Sequence, residues 1–331
     1  MIYLDPNLPA IVEARNNHLD KLFPKIKVKI DALHPGELKT FFNDLRIKEI
    51  LIDLPGKLES HHTALLNTLN DYSVAQWNEY IRIKKSVAPV NRSNIQKDLI
   101  VKYNTFTLLI NDIFKYTGGF ARKKSPYSAY NLASNLNIQT CVYCNRLYTK
   151  TVKNPSKITR PEFDHWYPKE SYPLLALSFY NLLPSCHVCN SSVKGSEVMS
   201  LDDYIHPYVD KNINFKFSYW VEKYNKYDFR IKSAPNSKEE NTIKAFKLEE
   251  IYKTHQDEIH DMVRLRSIYS INYLTKLKKL LNKEDQNISM DEIYRLAFGT
   301  HLKESKFHKR PLSRMKRDIL EELGIIKLEK E

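Results

Sequence analysis

The chain has 331 residues, 42% hydrophobic and 27% charged, which excludes a disordered chain and leaves ample length for a buried core. A net charge of +13 favours a polyanionic partner, nucleic acid first, because each phosphate that is neutralised releases counterions. No run of 18 apolar residues occurs and Met1 to Ala10 lacks a basic-then-apolar signal pattern, so the expectation is a cytoplasmic protein with no membrane partner.

The chain holds only 7 glycines, which favours helices over a turn-rich β fold and predicts a mainly helical α+β protein. Residues 1–130 read as an N-terminal helical region. Leu38, Phe41, Phe42 and Leu45 recur at helical spacing, as do Leu65, Leu66, Leu69 and Tyr72. A third pattern runs through Leu99, Val101, Tyr103, Leu108, Ile110 and Phe114, with Ser93 as its expected N-cap after a loop from Val87. Thr117 to Pro126 is glycine-rich and basic and reads as a break.

Residues 131–210 carry all four cysteines, and residues 211–331 form the third region. There Ile213, Phe215, Phe217 and Tyr219 alternate, then Tyr227, Phe229 and Ile231, which predicts a short antiparallel hairpin. Ser237 to Glu240 and Ser289 to Glu292 have the form of capping boxes. Between them a helical pattern runs through Leu248, Ile251, Ile259, Val263, Leu274, Leu277 and Leu281. The basic stretch Lys306 to Arg317 leads into a short helix ending near Gly324.

Cytoplasmic disulfides are rare, so the cysteines need another explanation. Cys141-Val-Tyr-Cys144 and Cys186-His-Val-Cys189 are two C-x-x-C knuckles, a spacing at which four thiolates bind one tetrahedral zinc ion. The 41 residues between them exceed the usual zinc-ribbon gap, so the zinc closes a loop with content of its own. Four thiolates leave zinc no open position for water, and any chemistry must come from other residues. Within and after the loop stand Phe163-Asp164-His165-Trp166-Tyr167-Pro168, Asn181, Asn190 and Lys194.

The order C-x-x-C, D-H-x-x-P, N-L, C-x-x-C-N-x-x-x-K resembles the HNH endonuclease family, although the family's usual ending is C-N-x-x-K, so Lys194 stands one place late. The resemblance covers residues 141–194. It implies a small ββα-metal module flanked by helical regions, and hydrolysis of phosphodiester bonds. His165 is then the general base and Asn181 the residue that orients it. Asp164 and Asn190 are the ligands of a catalytic Mg²⁺ or Mn²⁺, and Cys141, Cys144, Cys186 and Cys189 hold a structural Zn²⁺. The residue types suit these roles. An imidazole accepts a proton near neutral pH, and a hard divalent cation takes oxygen ligands while keeping several waters. Adjacent strand residues point to opposite faces, so a bend or bulge is expected if Asp164 and His165 serve one site.

The helical flanks make the chain similar to HNH nucleases of bacterial antiphage systems, of the Septu or retron-associated kind, which implies an ATPase partner and double-stranded DNA as substrate. Two alternatives stay open: a non-catalytic zinc-stabilised nucleic-acid-binding or adaptor protein, and an HNH nuclease acting on RNA. Lys169 and Lys194 are candidate phosphate contacts, with a solvated lysine as the alternative at each. His187 is read as a non-ligand and His206 as a turn residue, while His61 and His62 are placed on the surface. Tyr219, Trp220 and Tyr227 suit base stacking or, more often, packing.

Overall fold

The computed structural model describes residues 1–223, 226–268, 271–281 and 288–326. The chain opens on α1 (Pro9–Asp31), where Ile11, Ala14, His18, Leu22, Ile26 and Ile30 are buried at three- and four-residue intervals. Then come α2 (Glu37–Phe41), α3 (Asp44–Ile52), α4 (Pro55–Thr68), α5 (Val74–Ser86), α6 (Asn94–Ile113) and α7 (Ala129–Leu136). Prolines at the first turns of α1 and α4 fit there because the missing N–H has no helical partner in any case.

The expected helix through Leu38 and Leu45 is two helices. The Asn43 side chain accepts from the Arg46 N–H at 2.8 Å and starts α3 anew, and Leu45 is left exposed. Ser93 caps α6 as predicted, in a full capping box with Gln96. Its buried face, however, runs through Ile100, Tyr103, Phe106 and Ile110, and Val101 and Leu108 point outward. The glycine-rich break holds: the backbone kinks at Thr117 and Gly118, which leave helical geometry, with Gly118 at φ 73°.

The cysteine region contains one antiparallel pair, β1 (Glu162–His165) with β2 (Leu182–Ser185). A second, separate pair, β3 (Lys216–Lys223) with β4 (Lys226–Lys232), is the expected C-terminal hairpin. The helices that follow are α8 (Lys238–Ala245), α9 (Leu248–Tyr252), α10 (Gln256–Ile268), α11 (Ile271–Leu281), α12 (Met290–Phe298) and α13 (Ser313–Glu322). The long helical pattern is thus divided into shorter elements, with a 3₁₀ turn over Lys253–His255. Ser289 makes a full capping box, whereas Glu240 reaches back to the N–H of Asn236 rather than to Ser237.

The basic C-terminal stretch is partly interior. Arg314 is buried with its guanidinium over the Phe215 ring and donates to the carbonyls of Met1, Ile213 and Phe215. Arg317 pairs with Asp318 and Glu304. No helix among the described residues is long and apolar enough to cross a membrane. The protein is mainly helical, with two small antiparallel sheets and a buried four-cysteine cluster.

Candidate functional site

Both C-x-x-C knuckles converge. The Sγ atoms of Cys141, Cys144, Cys186 and Cys189 lie within 4.8 Å of one another and all four residues are buried. Cys144 Sγ and Cys186 Sγ are 3.9 Å apart, close to the ~3.8 Å edge of a tetrahedron with Zn–S bonds of about 2.3 Å. The Arg146 N–H points at Cys144 Sγ at 3.4 Å, as a donor to a thiolate would. Burial raises the Cys141 thiol well above its ordinary value, a penalty that a bound cation would reverse. The residues fit a structural zinc ion. The first knuckle is fixed by Asn145, at φ 51°, whose side chain donates to Phe307 and Arg310 carbonyls and accepts from the Arg314 N–H.

The hairpin lies between the knuckles in sequence and carries the polar residues. The β1–β2 register runs unshifted from Glu162↔Ser185 to His165↔Leu182, so the expected bulge is absent. Accordingly Asp164 and His165 direct their side chains to different neighbours. Asp164, 2% exposed, accepts from the Tyr143 hydroxyl and, at 3.2 Å, from the Lys194 ammonium. The His165 ring turns toward Tyr116, 4.5 Å between centroids at 80°, and its Nε2 is 3.0 Å from the Ala176 carbonyl. Because a carbonyl only accepts, Nε2 must carry the proton, and the lone pair is on Nδ1. Both residues nevertheless border one small polar cavity of about 190 Å³, along with Lys169, Glu170, Asn190 and Ser191.

Burial dominates the electrostatics. It lowers His165 to about 3, helped by the Lys169 charge, so the ring is neutral at physiological pH. Burial pushes Asp164 above the ordinary carboxylate value, against the pull of Lys194 and Tyr143. Asn190 donates through Nδ2 to Glu162 at 2.7 Å, which leaves its amide oxygen without a protein partner among the described residues. Asn181 is fully buried and does not touch His165. Its side chain accepts from Tyr167 N–H at 2.7 Å and donates to the carbonyls of Tyr167 and Leu175, at 3.1 and 2.9 Å. It thereby fixes the loop whose Ala176 carbonyl orients the imidazole.

Part of the chain has relatives in sequence. The chain is 33% identical over 116 residues to the Septu protein PtuB of Bacillus thuringiensis, a match covering 34% of this chain and 42% of that protein. It is also 43% identical over 61 residues to protein ea31 of Escherichia phage lambda, covering 18% of this chain and 20% of that one. The chain thus matches less than half the length of either relative. No family model matches, and no solved structure is significantly similar.

Several sequence-based expectations are corrected. Lys194 is no surface cation. Its side chain is fully buried, with the ammonium on Asp164 and, at 2.8 Å, on the carbonyl of His165, which leaves no face for a phosphate. Its late position has a local cause. Val188–Lys194 is π-helical, with the Gly195 N–H bonded to the Asn190 carbonyl five residues back, and such a turn accommodates one extra residue. Lys169 does border the cavity, paired with Glu170 at 2.9 Å. His62 is buried between the Trp77 and Tyr172 rings rather than exposed, and His61 pairs with Asp53 at 2.8 Å, half-shielded from solvent. His206 is a turn residue, accepting from the Tyr208 N–H at 3.1 Å, and it is buried against Trp166.

Sequence reasoning passed over three neighbours of the site. Tyr143, inside the first knuckle, stacks on Phe246 and reaches Asp164. Glu162, two residues before Asp164 on the same strand face, gathers His187, Asn190 and Ser191. Burial opposes its ionisation, but the bonds from Asn190 and His187 outweigh it and hold the carboxyl below its ordinary value. The i, i+2 spacing of Glu162 and Asp164 was the available signal. Tyr116 stands just before the glycine-rich break and carried no signal at all.

Proposed function

We propose that this protein is a divalent-metal-dependent endonuclease that cleaves double-stranded DNA, with its site at Asp164, His165 and Asn190. The carrying observation is the His165 imidazole: neutral, oriented through Nε2–H on Ala176, and with its Nδ1 lone pair unpaired beside a polar cavity that Asp164 and Asn190 also line. That arrangement suits removal of a proton from a water in the cavity. The Asp164 carboxylate and the open Asn190 amide oxygen match the oxygen donors that Mg²⁺ or Mn²⁺ prefers, and the cavity has room for several waters. Those two residues would hold the ion, which when bound polarises the scissile phosphate and offsets charge on the leaving oxygen. Lys194 shares the Asp164 carboxylate and braces the end of β1 through the carbonyl of His165. Asn181 acts as a positioning residue, and the four cysteines shape the loop through zinc.

The similarity to a Septu protein supports a role in antiphage defence, and the resemblance read from the sequence adds an ATPase partner to that reading. Purified protein stripped of divalent ions should leave supercoiled plasmid intact and cut it when Mg²⁺ or Mn²⁺ is returned. Binding without cutting under both conditions would favour a zinc-stabilised adaptor instead. Cutting of RNA alone would transfer the same chemistry to the other nucleic acid.

A further inference from the structure

Two loops beside the site are basic without exception. Residues 115–126 and 146–161 together hold nine lysines and arginines and no aspartate or glutamate. They are far apart in sequence, yet the structure ties them together. Lys157 donates to the carbonyls of Lys123 and Ser125 and to the Ser128 hydroxyl. The first loop touches the site directly, because Tyr116 at its start packs edge-on against His165. The second leads into β1 at Glu162, with the Arg160 guanidinium over the Phe163 ring.

The charges are free to act. Arg122, Lys123 and Lys124 are exposed and form no ion pair among the described residues. Lys150 is exposed and lies over the ring of Tyr148, itself 53% exposed, at 4.3 Å. Several surface lysines elsewhere pair with carboxylates, as at Lys27, Lys232 and Lys244. Apart from Lys115, which pairs with Asp112 at 3.1 Å, the cations of this connected surface have no acid partner among the described residues; such a surface is complementary to a polyanion, and its inner edge is the proposed general base.

From this juxtaposition we propose that the paired loops form a track for the phosphate backbone of duplex DNA, contacting phosphates that flank the one presented to His165. The inference rests on the nuclease reading only for the location of the cut. Phosphate contacts position a duplex without reading its sequence, and each one released by salt contributes about −0.9 to the slope of log affinity against log salt. Tyr148 and Lys150 would add a stacked cation–aromatic pair at the outer edge.

The test is binding of the full-length protein to a short fluorescein-labelled DNA duplex across a salt series, alongside plasmid cleavage. R122A/K123A/K124A should reduce the salt slope by about 3, and K150A/K153A by about 2, roughly one per cation removed, with zinc content and melting temperature unchanged. K276A/K278A/K279A in α11, which removes equal charge elsewhere, should leave the slope near the wild-type value. An unchanged slope in both loop variants, an equal drop in the α11 variant, or no duplex binding by the wild type at low salt would overturn the proposal. Cleavage is read separately. Loop-dependent binding without cleavage supports the track and removes the nuclease reading; cleavage with loop-independent binding does the reverse.

Discussion

Asp164 shows how much of a site one buried charge can organise. Its carboxylate is removed from water and held by two donors from different elements, the Tyr143 hydroxyl from the first knuckle and the Lys194 ammonium from the π-helical turn. Burying an ion pair costs nearly as much desolvation as it gains in attraction, but removing one partner leaves the other charge stranded. Lys194→Met should therefore destabilise the protein by about 3–5 kcal/mol in urea unfolding. Adding Asp164→Asn to that variant should recover much of the loss. If the double variant is as unstable as the sum of the single ones, the two groups are not coupled. The sequence placed Lys194 among surface cations because a lysine's burial depends on a partner thirty residues away, which no local pattern encodes.

At the scale of elements, legibility followed the range of the interactions involved. The N-cap at Ser93, the capping box at Ser289, the hairpin of β3 and β4 and both knuckles were readable because their signals are local. The division of α2 from α3 was also local, in the Asn43 cap, but the hydrophobic spacing through Leu38 and Leu45 masked it. Within the candidate site, Asp164, His165, Asn181 and Asn190 were marked by motif order. Tyr143 and Tyr116 were not, since each reaches the site through tertiary packing, and Glu162 was marked only by its i, i+2 spacing from Asp164. The knuckles bracket β1 and β2, so zinc should stabilise this unit as a whole. One zinc per chain is expected by metal analysis. Cys186→Ser should lose the metal and several kcal/mol of stability, about the scale set by small zinc domains. Full zinc content in that variant would mean that the cluster closes differently.

The whole molecule holds histidines in its interior as neutral groups. Burial lowers His18 to about 4 and His62 to about 3, against an ordinary value near 6.5. His18 bonds the Leu177 carbonyl at 2.8 Å, whereas both ring nitrogens of His62 lack a partner among the described residues. The unfolded chain takes up a proton at each as pH falls through 6.5, and the folded chain does so only near 4 and 3. Their contribution is thus complete above about pH 6.5 and declines below it, by about 2 kcal/mol per histidine by pH 5. Urea midpoints measured at pH 7 and pH 5 should show that fall, and His62→Phe should reduce it by about 2 kcal/mol, one histidine's share, since burial lowers His165, His206 and His308 as well; an undiminished pH dependence in the variant would point to other groups.

The same architecture places one neutral imidazole, His165, at the edge of a polar cavity beside a basic surface, and the nuclease reading depends on it. The most direct measurement is cleavage of supercoiled plasmid in Mg²⁺ by wild type and His165→Ala at equal zinc content. Cutting by the wild type with at least about a hundredfold loss in the variant is expected if His165 is the general base. Equal cutting by both proteins would contradict it.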